Sequence, residues 1–279
     1  GSASLTASLN KTSGGRPGGA AELRCRASFA RVIAPSFWND DPAMTVTAPQ
    51  SDATLDVAAN LAQVERHIIE AAEAAGREAG EIGLVAISKT HEAARIRPAL
   101  AAGQRRFGEN RVQEAAAKWP ALREEWPDLV LHLVGPLQTN KARQAVELFD
   151  LIETVDRPKL ARVLAREMER SGRRPDCLIE VNVGQEPQKA GVVPHLLEAF
   201  IKECRESYQL PLAGLMCIPP IDQEPAPYFA LLAKLAAENG LAAVSMGMSA
   251  DYQIAIEFGA TLVRVGTAIF GPRQPYPRS

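Results

Sequence analysis

Apolar residues recur at intervals of three and four in the first periodic segment of the chain, which runs from Asp52 to Ala75. The positions concerned are Leu55, Ala58, Ala59, Ala62, Val64, Ile68 and Ala72. This spacing places them on one face of a helix, because a helical turn takes about 3.6 residues. Gly76 is a natural stop, so the pattern predicts an amphipathic helix over 52–75.

Beyond Gly76, short apolar runs alternate with longer stretches rich in Ala, Leu, Glu and Arg. The eight runs are Leu84–Ser88, Arg106–Gly108, Val130–Gly135, Leu151–Val155, Cys177–Val183, Leu212–Ile218, Ala243–Gly247 and Leu262–Gly266. Stretches such as Lys159–Arg170, Val192–Tyr208 and Pro227–Asn239 separate them and are long enough for helices. Strands that alternate with helices in this way predict an α/β fold with a parallel sheet.

Eight such strands predict a single (β/α)8 TIM barrel, with the helix at 52–75 as an additional N-terminal helix. A doubly wound open sheet is the alternative. Its phosphate loop would follow the first strand, and neither GxGxxG nor GxxxxGK[ST] is present there. The chain stops soon after the eighth strand, so we expect the N-terminal helix to cover the face that a last helix would otherwise occupy.

Strand alternation predicts which side chains face the inside of the barrel. Successive residues point to opposite faces, so Glu180 and Asn182 lie opposite their apolar neighbours, and so does Arg264. We expect the apolar residues to face the helices, which leaves these three side chains in the lumen, joined by His132. They form either a mutually satisfied polar network or a ligand site. A buried guanidinium needs an acceptor, which a ligand or Glu180 could supply.

Lys89 closes the apolar run Leu84-Val85-Ala86-Ile87 and is flanked by Ser88 and Thr90. The run predicts a buried parallel strand that delivers an amine at its carboxyl end, where barrels keep their chemistry. An amine in a partly apolar site has its charged form disfavoured, and the neutral form can attack a carbonyl and form a Schiff base. The alternative is an ordinary strand-end lysine directed towards solvent.

The last two strands end in Gly247-Met248-Ser249 and Gly266-Thr267. Small residues and hydroxyls at strand ends suit a phosphate, and barrels commonly bind phosphate after strands seven and eight. Ser249 could instead cap the helix through Ala255. A phosphate site there would neighbour Lys89 in a closed barrel. A ligand with both an aldehyde and a phosphate would join the two, either a phosphosugar or pyridoxal phosphate.

Composition and charge narrow the function classes. The chain has 279 residues, of which 46% are hydrophobic and 23% charged, with a net charge of −2. No basic run with interleaved aromatics indicates nucleic-acid binding, and no apolar stretch approaches the roughly 20 residues that cross a bilayer. Four cysteines (Cys25, Cys177, Cys204 and Cys217) lack CxxC spacing, so we expect a reducing, cytoplasmic location and no metal.

The ends of the chain differ from its periodic part. Residues 1–50 begin with Gly1-Ser2, typical of tag removal, and continue as a segment rich in Ser, Ala, Gly and Arg. We expect a disordered leader without function, with Met44 as the natural start. Residues 51–273 are expected to form the barrel and residues 274–279 a short tail.

Six motifs in combination resemble the pyridoxal-phosphate homeostasis protein family, whose members are single-domain relatives of the alanine racemase barrel. They are Val-Ala-Ile-Ser-Lys-Thr (85–90), Phe-Gly-Glu-Asn-Arg-Val-Gln-Glu (107–114), His-Leu-Val-Gly-Pro-Leu-Gln-Thr-Asn-Lys (132–141), Gly-Leu-Met-Cys-Ile-Pro (214–219), Ser-Met-Gly-Met-Ser (245–249) and Val-Arg-Val-Gly-Thr-Ala-Ile-Phe-Gly (263–271). The resemblance covers about residues 55–273. It implies a barrel of the alanine racemase N-terminal type that binds pyridoxal 5'-phosphate.

The resemblance also implies roles for individual residues. Lys89 would hold the cofactor as a Schiff base, Arg264 would approach the pyridine nitrogen, and Asn110 would lie close to the ring. The phosphate would be held by Ser249, Gly266 and Thr267, with Met248 in the same turn. Lys189, in Glu-Pro-Gln-Lys-Ala-Gly, matches a lysine with a role in secondary cofactor binding or release.

Arg264 bears on the chemistry expected of such a site. A guanidinium cannot accept the pyridine proton, so the ring would be a weak electron sink. Racemases with such an arginine use a second base from a C-terminal domain. We therefore expect a non-enzymatic protein, a monomer or weak dimer, that buffers the cofactor and delivers it to apo-enzymes through transient contact. A racemase-like enzyme, with Tyr252 as the nearest tyrosine, is the alternative, and a phosphosugar aldolase is a third.

Overall fold

Eight parallel strands close into a barrel in the computed structural model, which describes residues 56–272. The strands are β1 (Gly83–Ile87), β2 (Arg106–Glu109), β3 (Val130–Leu133), β4 (Leu151–Val155), β5 (Asp176–Val181), β6 (Leu212–Cys217), β7 (Ala243–Ser245) and β8 (Leu262–Val265). Each strand pairs with the next in sequence, and β8 returns to pair with β1. The predicted barrel is confirmed. The expectations for residues 1–50 and 274–279 lie outside the described residues.

Helices surround the barrel and connect its strands. Within residues 56–272 they are α1 (Val57–Ala74), α2 (Ala93–Ala101), α3 (Val112–Glu125), α4 (Ala142–Leu148), α5 (Pro158–Ser171), α6 (Leu197–Glu206), α7 (Ala226–Glu238), α8 (Tyr252–Glu257) and α9 (Thr267–Phe270). Several predicted strands extend beyond the observed ones, as for β3, where the ladder ends at Leu133 and Val134 and Gly135 turn into the loop. These extra residues form the mouth of the barrel, at the carboxyl ends of the strands.

The N-terminal helix packs among the outer helices, on the face that a last helix would otherwise occupy, as predicted. Helix α1 begins after Asp56, whose carboxylate accepts a hydrogen bond from the Ala59 N–H, and Gly76 follows it with φ +66°. It packs against α2, α8 and α9. Asn60 Nδ2 donates to the Ile269 carbonyl at 3.1 Å, and Arg77 Nη1 donates to the Ile256 carbonyl at 2.9 Å. These bonds fix both short C-terminal helices, α8 and α9, which flank the mouth.

The barrel has two separate apolar cores. The larger one lies between the strands and the helices, and a smaller one fills the lumen. The lumen core comprises Val85, Ile87, Leu151, Leu178, Ala213, Met216, Ala243 and Leu262. Leu178 and Leu262 are each two residues before a predicted lumen side chain, Glu180 and Arg264, so alternation places polar residues on the same face but nearer the mouth. The predicted parity is confirmed for Glu180 and Arg264, whereas Asn182 lies beyond the end of β5 and its side chain bonds the Glu186 backbone.

Within residues 56–272, no helix combines the length and apolar character that crossing a bilayer requires.

Candidate functional site

Lys89 lies two residues beyond β1 and is half-buried. It occupies a tight turn in which the His91 N–H donates to the Ser88 carbonyl at 3.1 Å. Thr90, directly after it, has φ +67°, which is uncommon for a β-branched residue. The turn therefore holds Lys89 at the barrel mouth. The unfavourable conformation of Thr90 within it must be supported by the surrounding residues.

The Gly266 turn lies directly beside the end of β1. Strands β8 and β1 are paired with Val85 opposite Arg264 and Ala86 opposite Val265. A Cβ on Gly266 would meet the Ile87 carbonyl oxygen at 3.1 Å, so this position accepts only glycine without a shift of its neighbours. The closure of the barrel thus brings Gly266 next to the strand that carries Lys89.

Ser249 belongs to this turn and not to a helix cap. Its Oγ accepts a hydrogen bond from the Gly266 N–H at 3.3 Å, which links the ends of β7 and β8. Helix α8 begins only at Tyr252, so the interpretation of Ser249 as its N-cap is wrong. The Met248 N–H, in the same turn, donates to the Asp251 carboxylate at 2.6 Å. Thr267 is exposed at the start of α9.

Arg264 lies in the lumen with only 4% of its surface exposed. Its Nη1 donates to Ser245 Oγ at 2.6 Å, and its Nη2 donates to the Cys217 carbonyl at 2.8 Å. Ser245 Oγ in turn donates to Glu153 Oε2 at 2.6 Å. The guanidinium is therefore fixed from β6, from β7 and, through Ser245, from β4.

Glu153 is the buried counter-charge of Arg264, with its Oε2 3.9 Å from Arg264 Nη1, and sequence reasoning missed it. Its second oxygen accepts from His132 Nδ1 at 2.7 Å, and both side chains are fully buried. Burial alone would raise the pKa of Glu153, but the hydrogen bond and charge of His132, with Arg264 and Ser245, outweigh it and hold the pKa below its usual value. Strand alternation from Leu151 would have placed Glu153 in the lumen.

The lumen holds two further polar groups, His132 Nε2 and the Glu180 carboxyl. His132 Nε2 is buried and has no hydrogen-bond partner among residues 56–272. Burial raises the pKa of Glu180 to about 7, Asp156 adds to the shift, and Arg264 only partly opposes it. Glu180 is thus not the acceptor for Arg264 that the sequence allowed for. It is a carboxyl group that changes charge near neutral pH.

Asn110 and Lys189 lie on different sides of the mouth. Asn110 directly follows β2, and its backbone packs so tightly against Gly135 that a Cβ there would be 2.3 Å from the Asn110 carbonyl oxygen. Lys189 lies in the loop after β5, where its Nζ is 2.5 Å from Glu186 Oε2 and donates to the Pro219 carbonyl at 3.1 Å. Since β5 is opposite β1 in the strand order, Lys189 is across the mouth from Lys89.

The mouth therefore joins an amine, a glycine turn with hydroxyls and a fixed guanidinium. This set can bind an anionic group at one end and an aldehyde at the other. The family model described as alanine racemase, N-terminal domain, matches residues 59–274, which include all of these groups. The chain belongs to this family.

Proteins similar in sequence carry the name of the family that the motifs indicate. The chain is 44% identical over 225 residues to the pyridoxal phosphate homeostasis protein of Pseudomonas aeruginosa, which covers 78% of this chain and 96% of that protein. It is 40% identical over 232 residues to the protein of the same name from Escherichia coli K12, covering 78% and 97%. The resemblance that the six motifs indicate is confirmed.

Solved structures in the family share the barrel. PipY of Synechococcus elongatus PCC7942 is 41% identical and covers 77% of this chain and 100% of its own, with a TM-score of 0.70 without PLP and 0.67 with PLP bound. Alanine racemase of Clostridium difficile 630 has a TM-score of 0.57, covering 74% of this chain and 55% of its own. At 15% identity, that likeness shows the fold alone.

We expect Glu180→Gln to change how stability depends on pH. The carboxyl of Glu180 has a raised pKa in the folded protein, so its favourable contribution is complete below pH 4.5 and is lost as pH rises through about 7. Relative to the variant, the wild type should lose roughly 3 kcal/mol of unfolding free energy over this range. Urea unfolding of the ligand-free proteins at a series of pH values measures the difference.

The matched control is Glu238→Gln, since the Glu238 side chain is 55% exposed on α7. Its stability curve should run parallel to that of the wild type. A parallel curve for Glu180→Gln as well would contradict the raised pKa.

Proposed function

We propose that the protein binds pyridoxal 5'-phosphate reversibly and serves the homeostasis of this cofactor as a carrier, not as an enzyme. The observation that carries the proposal is the pairing of β8 with β1, which sets the Gly266 turn against the end of the Lys89 strand. The names of the relatives and the PLP-bound PipY structure support the same ligand.

The residues at the mouth fit this cofactor. The absence of a side chain at Gly266 lets this turn pack directly against Ile87, which brings the start of α9 to the mouth beside the Lys89 strand. Ser249 and Thr267 contribute hydroxyls, and the first N–H groups of α9 point out of the helix start. Met248 lies in the same turn with its side chain partly exposed, while its N–H is already bonded to Asp251.

Lys89 supplies the reversible bond. Its neutral amine adds to the aldehyde carbon, a C=N bond forms, and one water molecule leaves; addition of water reverses the step and frees both partners. Because no redox change or further reactant is involved, the bond can form and break with the free ligand concentration. This reversibility is what buffering of a cofactor requires.

Arg264 limits how well the bound cofactor could stabilise a carbanion. A guanidinium carries five N–H donors, and two of its nitrogens already donate to Ser245 and Cys217, so we assign the pyridine nitrogen to its remaining donors. A donor at this nitrogen keeps it unprotonated, so the bound cofactor gains little power to stabilise a carbanion. Asn110, at the end of β2, is assigned to the edge of the ring.

A racemase-like activity is the second candidate, and the raised pKa of Glu180 is the observation in its favour. A carboxyl that titrates near neutral pH can exchange protons with a substrate. Tyr252, the other group considered as a second base, is 5% exposed, and its hydroxyl lies 3.1 Å from His67 Nδ1 of α1. Its contact with α1 argues against a role in the lumen.

The wider roles follow from the carrier proposal. Delivery would require transient contact with apo-enzymes, for which a monomer or weak dimer suffices. Lys189, held by Glu186 and the Pro219 carbonyl across the mouth, is proposed as a secondary contact for the cofactor as it enters or leaves. A cytoplasmic location is proposed because Cys177, Cys204 and Cys217 are all buried free thiols.

Lys89→Ala should abolish covalent binding. Wild-type protein mixed with pyridoxal phosphate is expected to absorb at about 420 nm, the band of the protonated C=N bond, and the variant should lack this band. The control is Lys234→Ala, since the Lys234 side chain is 70% exposed on α7. A wild type without the band, or a Lys89→Ala variant that keeps it, would refute the proposal.

Ser249→Ala should weaken binding of pyridoxal phosphate by about tenfold, because a hydrogen bond to a charged group contributes about 1.5 kcal/mol or more. Binding of pyridoxal, which lacks the phosphate, should be unchanged. Titrations with both ligands measure the two affinities, with Ser207→Ala at the exposed end of α6 as the control. Equal losses for the two ligands would show that Ser249 does not act on the phosphate.

The carrier role predicts slow proton exchange on amino acids. With the cofactor bound, loss of the α-deuteron from a panel of deuterated amino acids should remain far below about 1 per second, the lower end of usual enzyme turnover. Nuclear magnetic resonance follows the loss directly. Turnover within the usual range, reduced by Glu180→Gln, would instead establish the racemase-like activity.

A further inference from the structure

A buried group of charges lies outside the barrel wall, directly behind the turn that carries Lys89. We call Glu109, Glu114 and Lys118 the Lys118 cluster. Glu109 ends β2 and is fully buried, and the other two lie on α3. Lys118 Nζ is 2.8 Å from Glu109 Oε1 and 3.3 Å from Glu114 Oε1. The lysine side chain is 10% exposed, so its charge is compensated inside the protein.

Each member of the cluster binds the Lys89 turn. Lys118 Nζ donates to the Ser88 carbonyl and to the His91 carbonyl, both at 2.9 Å. Glu109 Oε1 accepts from Ser88 Oγ at 2.6 Å, and Glu114 Oε1 accepts from the Thr90 N–H. The backbone is therefore fixed on both sides of Lys89, at Ser88 before it and at Thr90 and His91 after it.

Attachment of α3 to the barrel does not account for these contacts. That helix already buries Val112, Ala115, Trp119 and Leu122. The Trp119 ring lies 5.0 Å from the Phe107 ring, and Trp119 Nε1 donates to Glu109 Oε1 at 3.1 Å. The two carbonyl acceptors of Lys118 belong to the Lys89 turn. Well-packed apolar residues would stabilise the helix at least as well as a buried ion cluster.

The conformation of Thr90 explains why the turn needs external support. Its φ of +67° is unfavourable for a β-branched residue, and such conformations persist where the surroundings impose them. Glu114 fixes the Thr90 N–H, and Lys118 fixes the carbonyl of the residue after it. Without these bonds, the turn would relax and carry Lys89 with it.

We infer that Lys118 is a positioning residue for Lys89: by bonding Ser88 and His91, it holds the turn so that the amine faces the aldehyde of a ligand whose phosphate lies at Gly266. The inference rests on the proposed function, since it assumes that Lys89 forms the covalent bond. It assigns a role to Glu109 and Glu114 of the second sequence motif, two residues that the proposed cofactor contacts leave unexplained.

The test separates covalent from noncovalent binding. Lys118→Met alone leaves the Glu109 carboxylate buried without its cation and risks misfolding. The variant for measurement is therefore Lys118→Met with Glu109→Gln, which removes both charges and keeps an amide to bind Ser88 and Trp119. Lys234→Met, on the exposed face of α7, is the matched control.

Two ligands are titrated into each protein. Pyridoxal phosphate reports the covalent bond through absorbance at about 420 nm, and pyridoxine phosphate, with an alcohol in place of the aldehyde, reports the noncovalent contacts through calorimetry. We expect the double variant to bind pyridoxal phosphate about tenfold more weakly, since small misplacement of a reacting group has effects of this size or larger. Its affinity for pyridoxine phosphate should equal that of the wild type.

Two results would overturn the inference. If the double variant binds both ligands with wild-type affinity, the Lys118 cluster is not needed to position Lys89. If it loses affinity for both ligands equally, the cluster supports the barrel in general and not Lys89 in particular. Neither result bears on the proposed function, which is tested separately by the absorbance band of the wild type and its loss in Lys89→Ala.

Discussion

The pairing of β8 with β1 is the interaction on which the site depends. It joins residues about 175 positions apart in sequence, Lys89 at one end and Arg264 and Gly266 at the other. In a barrel of parallel strands, every carboxyl end opens at the same mouth, so closure alone makes the first and last strands neighbours there. Helix α1 and the turn after it secure this closure from outside, because Asn60 of α1 binds a carbonyl of α9 and Arg77 of the turn binds a carbonyl of α8.

Closure of the barrel buries Arg264, and the polar network of the lumen compensates for this burial. Arg264 is removed from water, and an unpaired guanidinium would be costly in that position. Ser245 and the Cys217 carbonyl accept its hydrogen bonds, and Glu153 balances its charge from the next layer of the network. His132 completes the set by donating to Glu153. The guanidinium is thus rigid before any ligand arrives, and a donor that needs no rearrangement binds its partner at lower entropic cost.

The sequence contains the periodicities that define the fold, but not the partners of individual charges. Alternation in β5 and β8 correctly places Glu180 and Arg264 in the lumen, because the side-chain period of a strand is fixed. Alternation from Leu151 also predicts a lumen position for Glu153, but the partners of Glu153 and Lys118 come from distant segments, and no local pattern in the sequence identifies them. Ser249 illustrates the same limit: a serine before a helix suggests a cap, whereas the pairing of β7 with β8 brings the Gly266 N–H to its hydroxyl.

The two sides of the mouth differ in what they could contribute to catalysis. The Lys89 side is fixed by hydrogen bonds on both flanks of the lysine, whereas the β5 side presents Glu180, a carboxyl that titrates near neutral pH. Racemisation needs a proton removed on one face of a carbon and returned on the other, by groups placed with similar accuracy. Burial and Asp156 raise the pKa of Glu180, and the proposed contact of Arg264 with the pyridine nitrogen would weaken the stabilisation of a carbanion beside it. On the proposed assignment, the residues that capture an aldehyde reversibly would leave little to drive a second, carbon-centred step.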